Sequence, residues 1–389
     1  MDFRLTDEQE AIRDAVAKIC ERFDDAYWLD RDDTGEFPHD FHKAMADGGW
    51  LGIAMPEEYG GAGLGVTEAA IMMHAVAKSS GAQSAASAIH INIFGPHPLV
   101  VAGNEDQKRA HLPSLIKGEQ KTCFGVTEPD AGLDTTSIKT RAEKDGNGNY
   151  VVHGRKMWTS TAQEADKILL LARTTPKENS KKSTDGISLF YTDFNRDYIE
   201  ARVIPKMGRK SVDSNAVFID GLPVPKEDLI GEEGKGFYYL LHGLNPERVL
   251  VGIEAVGIGQ NALARATEYA KDRVVFGRPI GMNQSIQHPL AVNWAELEAA
   301  YMMCMLAADR YDRGEDCGGE ANAAKYLGAE AGFKAATQAV MTHGGMGYAK
   351  EYHVERLMRE SMIARIAPVS MQMILNYIAE RKLGLPRSY

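Results

Sequence analysis

The run Thr122-Cys123-Phe124-Gly125-Val126-Thr127-Glu128-Pro129-Asp130-Ala131-Gly132 is where the character of the chain changes. Before it, apolar residues recur at helical spacing. Ile12, Ala15, Val16, Ile19 and Phe23 follow Thr6-Asp7-Glu8-Gln9, a capping box in which Thr6 caps and Gln9 closes three residues later. A second helical stretch, rich in Ala, Ile and Met, covers about 67–80. From residue 122 the pattern shortens. Runs rich in β-branched and aromatic residues stand at 122–127, 150–153, 167–172, 186–191, 199–204 and 216–219, separated by turn residues such as Asp145-Gly146-Asn147-Gly148-Asn149. Such runs predict a small antiparallel barrel or sandwich. After Gly236 helical spacing returns. Asn245 can cap a helix whose first residue is Pro246, the position where proline costs least, and which runs to about 270. Further helices at 285–313, 320–342 and 369–381, joined by short links, predict an antiparallel four-helix bundle.

The chain therefore reads as an α+β multidomain protein: a helical domain over 1–121, an antiparallel β-barrel over 122–232 and a four-helix bundle over 233–389. Its 389 residues suit two to three domains. The charge, 44 − 54 = −10, disfavours a nucleic-acid binder with a broad basic surface. No run of about 20 apolar residues is present to span a bilayer. The start, Met1-Asp2-Phe3-Arg4-Leu5, shows no charged-then-apolar leader, and Cys20, Cys123, Cys304 and Cys317 form no Cys-x-x-Cys pair. A cytoplasmic enzyme without a metal site is the expectation. Gly60-Gly61-Ala62-Gly63-Leu64-Gly65 reads as a turn between helices, because no Lys-Ser/Thr follows and no clear strand precedes it. Residues 176–185 read as an exposed polar loop, and Met302-Met303-Cys304-Met305 as core packing.

The segment Phe124 to Gly132 resembles a signature of the acyl-CoA dehydrogenase family. Gly154-Arg155-Lys156-Met157-Trp158-Thr159-Ser160 is similar to that family's second flavin segment. Arg273-Val274-Val275-Phe276-Gly277-Arg278 and His343-Gly344-Gly345-Met346-Gly347-Tyr348 are similar to its later motifs. The resemblance covers essentially the whole chain. It implies bound FAD, removal of an α-proton and a β-hydride from an acyl-CoA thioester, electron-transfer flavoprotein as acceptor, a role in fatty acid or amino acid catabolism, and a homotetramer. By resemblance Phe124, Val126 and Thr127 line the flavin, Trp158 packs on its ring, and Ser160 approaches its reactive nitrogen. Arg273, Phe276, Gln284, Met341, Gly344 and Gly345 would reach the FAD of a neighbouring subunit, and Ser370 and Gln372 keep a flavin contact. Two positions depart from the family: Leu133 stands where Ser is common, and Met341 where Gln is common.

The catalytic base departs too. Most members place a glutamate in Tyr-Glu-Gly-Thr, where this chain has Ala367-Pro368-Val369-Ser370. Pro368 offers neither a carboxylate nor the N–H that would donate to the thioester oxygen. Isovaleryl-CoA and long-chain acyl-CoA dehydrogenases carry the glutamate before an arginine, early in the bundle. Leu244-Asn245-Pro246-Glu247-Arg248 matches that arrangement, so Glu247 is the candidate base. Leu133, Leu244, Asn245 and Arg248 are the candidate substrate residues. His90, Asn92 and His97 make the region 89–99 polar for this family, and read more readily as satisfied helix and loop residues. The alternatives are an oxygen-using flavoenzyme on the same scaffold, an acyl-CoA oxidase or monooxygenase, or a catalytically altered CoA-binding subunit. Because FAD and CoA are anions and the chain is acidic, single cations such as Arg248 and Arg273 would have to hold them against the overall field.

Overall fold

The computed structural model describes residues 4–388. Helices α1 (Asp7–Cys20), α2 (Asp25–Thr34), α3 (His39–Asp47), α4 (Val66–Lys78), α5 (Ala82–Ile93), α6 (His97–Ala102) and α7 (Glu105–Ile116) come first. Strands β1 (Thr122–Gly125), β2 (Arg141–Lys144), β3 (Tyr150–Ser160), β4 (Lys167–Arg173), β5 (Ile187–Asp193), β6 (Ile199–Val203) and β7 (Ser214–Val224) follow. The last part holds α8 (Gly236–His242), α9 (Leu244–Asp272), the small hairpin β8 (Val274–Val275) and β9 (Arg278–Pro279), then α10 (Gln284–Asp312), α11 (Gly318–His343), α12 (Val354–Ser361), α13 (Ile363–Ile366) and α14 (Met371–Arg381). The capping box on α1 forms as the sequence predicts: Gln9 N–H donates to Thr6 Oγ1 at 3.2 Å and Thr6 N–H to Gln9 Oε1 at 3.1 Å. Asn245 is not a cap. The α9 helix begins at Leu244 directly after α8, Glu247 N–H donates to Gly243 O at 3.1 Å, and Asn245 lies inside the first turn.

The sheet corrects the closed antiparallel barrel expected from the strand runs. Its order is β1-β4-β2-β3-β7-β6, with β5 on the other side of β4. The strand β4 runs parallel to β1 along its first half and meets β2 in parallel at Arg173, while the other pairs are antiparallel. Among the described residues no pairing joins β5 to β6, so the sheet curls without closing and leaves an open wall. One face has a core of its own, Cys123, Tyr150, Val152, Ile168, Phe190 and Val217, while on the other Leu169, Leu171, Leu189 and Tyr191 pack with Leu112 and Leu115 of α7.

In the last part α9 and α11 are pressed together along glycines. A Cβ at Gly328 would stand 2.3 Å from Gly252 O, and one at Gly332 2.2 Å from Ala255 O. The contacts of Gly252 with Ala324 and Cys304, and of Gly259 with Gly332 and Leu297, set α11 parallel to α9 and α10 antiparallel to both. The shorter α14 returns along α11, with Tyr377 against Gly318. The first and last helical parts share one core, in which Val16, Phe41, Met72 and Ile89 join Val249, Leu250 and Cys304. That shared core lays α5 against α9.

Candidate active site

Two segments, one following β1 and one within β3, are fastened together at the sheet. Beyond β1, Thr127 O accepts from Met157 N–H at 2.8 Å. Lys156, fully buried, donates from Nζ to Val126 O at 3.2 Å and to Glu128 Oε1 at 2.9 Å. The Glu128 carboxylate also accepts from Lys139 N–H at 2.6 Å and Thr140 N–H at 2.9 Å. Burial alone would push this carboxyl up; Lys156 and the amide donors outweigh it and hold it below its usual range. Next to the clamp β3 carries a bulge. Lys156 pairs with Val217 and Thr159 with Asn215, so three steps of β3 match two of β7. Trp158 sits in that bulge at φ 62°, a left-handed conformation costly for an aromatic residue, with its side chain 56% exposed. Phe124, Thr127 and Ser160 are half-buried around it and Val126 is buried. The expected flavin segments are thus brought together, while Leu133 lies in an exposed turn.

The candidate base has partners that the sequence reading did not name. Glu247, 27% exposed, receives a hydrogen bond from His90 Nε2 on α5 at 2.7 Å. His90 Nδ1 bonds Glu254 Oε1 at 2.5 Å, and the other oxygen of Glu254 accepts from Gln83 Nε2 at 2.7 Å. Glu254 is only 2% exposed and lies two helical turns beyond Glu247 on the same face of α9. Burial pushes the His90 imidazole down, but the two carboxylates outweigh it and hold it well above its ordinary value. Arg248 Nη1 donates to Asn245 Oδ1 at 2.9 Å, and burial lowers its guanidinium. A cleft of about 370 Å³ lined by Tyr238, Leu241, His242, Asn245 and Tyr311 opens beside the start of α9. A larger one, about 540 Å³, between residues 31–39 and the end of β6 contains none of the expected site residues. Asn92 is structural: its Oδ1 accepts from Thr122 N–H at 2.9 Å, tying α5 to β1. His97 is largely buried, and burial pushes its imidazole down. Near Pro368, the buried Lys325 donates from Nζ to Val369 O at 2.8 Å. Ser370 Oγ accepts from Met373 N–H at 3.4 Å as the cap of α14, and Gln372 is exposed in its first turn.

The remaining expected residues gather at the other end of the bundle. Tyr269 and His343 stack at 4.2 Å between ring centroids, which places Arg273 and its hairpin beside Met341, Gly344 and Gly345. Phe276 is fully exposed at φ 52°, and Gln284 is exposed at the start of α10. Arg273 follows Glu247 by 26 residues along α9, about 39 Å at 1.5 Å per residue. One chain therefore does not bring this group to Glu247.

Three family models match the chain in order: the acyl-CoA dehydrogenase N-terminal domain over 6–119, the middle domain over 123–222 and the C-terminal domain over 234–383. Acyl-CoA dehydrogenase fadE12 of Mycobacterium bovis is 36% identical over 400 residues, covering 100% of this chain and 99% of that protein. The structure of butyryl-CoA dehydrogenase from Megasphaera elsdenii superposes with a TM-score of 0.93 at 30% identity, covering 98% of this chain and 100% of that one. The FAD complex of PigA superposes with a TM-score of 0.93 at 26% identity, covering 99% and 100%. From its first helix to its last, the chain belongs to the acyl-CoA dehydrogenase family.

Proposed function

We propose that this protein, an FAD-dependent acyl-CoA dehydrogenase, uses Glu247 to take the α-proton of its acyl-CoA substrate. The observation that carries the assignment is the held carboxylate: Glu247 is fixed by His90 at 2.7 Å at the mouth of the bundle, while the position of the usual glutamate is Pro368. The residues on the sheet fit FAD. An exposed indole at Trp158, flanked by the hydroxyls of Thr127 and Ser160, suits a flat conjugated ring. The open backbone at Gly344 and Gly345, where a Cβ would meet nothing within 4 Å, suits close approach by a phosphate chain. When bound, FAD supplies the acceptor for the β-hydride.

The chain's own residues do the rest. Phe124, Val126, Thr127, Trp158 and Ser160 orient the ring, with Ser370 and Gln372 near it. Leu133, Leu244, Asn245 and Arg248 line the acyl-CoA path. The α-proton passes to a Glu247 oxygen, and the electrons of that C–H bond form the new α,β double bond of a 2-enoyl-CoA as hydride leaves the β-carbon. Arg273, Phe276, Gln284, Met341, Gly344 and Gly345 act on a neighbouring copy's FAD in a homotetramer. Their distance from Glu247 along α9 supports this, as do the exposed apolar side chains of Phe276, Val274, Met282, Trp294 and Met341. An electron-transfer flavoprotein is the proposed acceptor and the cytoplasm the proposed location. Among the described residues, no single helix is long and apolar enough to cross a membrane.

The test is anaerobic flavin bleaching across straight, branched and aryl-alkyl acyl-CoAs. The wild type bleaches with its substrate. Glu247→Gln keeps its flavin but slows by about 10²–10⁴-fold, the usual contribution of a general base. An unchanged rate in Glu247→Gln rejects the assignment.

A further inference from the structure

Glu254 has no part in the chemistry above, yet the fold buries it two turns behind Glu247. A buried carboxylate costs several kcal/mol unless it is paired. Its partner is His90, whose other nitrogen meets Glu247. Ionised carboxylates only accept hydrogen bonds, so a ring held between two of them at 2.5 and 2.7 Å must donate from both nitrogens. That ring is an imidazolium, and both contacts are charge-assisted.

The surrounding charges close around this unit. From α5, Gln83 holds Glu254, and Ser84 Oγ donates to Glu360 at 2.6 Å. From the turn between β6 and β7, Arg209 donates to Ser87 Oγ at 3.0 Å and faces Glu254 and Glu360, with Lys206 nearby. From α12, Arg356 pairs with Glu360 at 3.4 Å. The carboxylates Glu247, Glu254 and Glu360, with Asp213 beyond them, thus face His90, Arg209, Arg356 and Lys206, and Arg248 stands beside Glu247 on α9. The ring of Phe94, 5.6 Å from that of His90, covers the apolar side.

We propose that His90, held by Glu254, is the positioning residue for Glu247. It fixes one carboxylate oxygen, leaves the other for the α-proton, and keeps the base ionised in a pocket that loses its water when an acyl chain enters. Without that cation, the Glu247 carboxylate would lose its fixed orientation and stand uncompensated in the desolvated pocket. The proposal rests on the reading of Glu247 as the base and adds the device that maintains it.

The experiment is the pH dependence of the anaerobic bleaching rate with one acyl-CoA, for holoenzyme carrying wild-type sequence, His90→Gln, Glu254→Gln or Glu247→Gln. Flavin content and acyl-CoA affinity are measured alongside. In His90→Gln the acid limb moves up by about one unit or more, and the rate at neutral pH falls about 10–100-fold. Affinity changes less than about threefold, and part of the rate returns above the shifted limb. Glu254→Gln moves the limb in the same direction by less, and decides alone if His90→Gln does not retain flavin. If Glu247→Gln stops bleaching while the flavin-loaded variants of His90 and Glu254 keep the wild-type acid limb, the positioning role is overturned and the base stands. If Glu247→Gln bleaches at the wild-type rate, the base reading fails first and this inference with it.

Discussion

Replacing Lys156 by Met removes the cation from the clamp beneath Trp158 and leaves the Glu128 carboxylate buried. Breaking a buried pair by deleting one partner costs about 3–5 kcal/mol. Two features limit the loss here. Glu128 keeps the N–H groups of Lys139 and Thr140 at 2.6 and 2.9 Å. It can also escape by taking up a proton: from an ordinary value of 4.5, neutralising it at pH 7 costs about 1.36 × 2.5, or about 3.4 kcal/mol. The destabilisation of Lys156→Met is therefore capped at about 3.4 kcal/mol at pH 7. Once the capped regime holds, it shrinks by about 1.4 kcal/mol for each unit the pH falls. The sign follows from the carboxyl. In the wild type its folded value is depressed, so the stability it contributes is present above the unfolded value and is lost as pH falls through the folded one. In the variant the folded value is raised, so acid relieves the penalty. Urea unfolding of the holoenzyme at matched protein concentration, from pH 5.5 to 8, reads the effect. Flavin fluorescence in the same samples reads whether the flavin is released. Lys156→Met/Glu128→Gln should recover most of the loss, because the amide carries no charge to strand. A single variant within about 0.5 kcal/mol of wild type, or a loss independent of pH, would refute the clamp.

Gly328→Val should cost about 2–3 kcal/mol by overpacking, because its Cβ would meet Gly252 O at 2.3 Å on a backbone that cannot swing aside. A urea midpoint equal to wild type would mean that α9 and α11 can separate freely. Phe276→Glu places a charge at the most exposed of the apolar side chains in the proposed interface and should yield a smaller species by light scattering, with flavin lost in parallel. An unchanged mass with full flavin would remove Phe276 from the proposed interface.

Long periodic segments were legible because their signal is local. The predicted helices at 246–270, 285–313, 320–342 and 369–381 correspond to α9, α10, α11 and α14 with ends shifted by no more than two residues. The β2 strand was not legible: Arg141-Ala142-Glu143-Lys144 buries only Ala142, so nothing in its composition separates it from a charged loop. The β3 strand runs past its predicted end at 153 because Lys156, a poor strand residue by type, is neutralised by Glu128 from 28 residues earlier. Closure of the sheet depends on whether β5 finds β6, which no local pattern records. At the site, Trp158 and Glu247 are singled out by motifs, whereas the partner of His90 lies 157 positions away on another helix. The one local clue was the spacing of Glu247 and Glu254, two carboxylates on one face of a helix otherwise dominated by small and apolar residues.

The extra residue in β3 makes this wall of the sheet tolerant in one respect and unforgiving in another. Alternation along a strand has a period of two, so the bulge between Lys156 and Thr159 sets which side every later residue faces. Exchanging one side chain there alters a surface. Deleting one residue would turn the strand over beyond that point, sending Ser160 to the face where Thr159 lies buried and Thr159 to the open one. In this wall chemistry can drift by substitution, while length is under far tighter constraint. Insertions and deletions that the 176–185 loop can absorb at little cost would, three residues either side of Trp158, exchange the inside of the sheet for its outside.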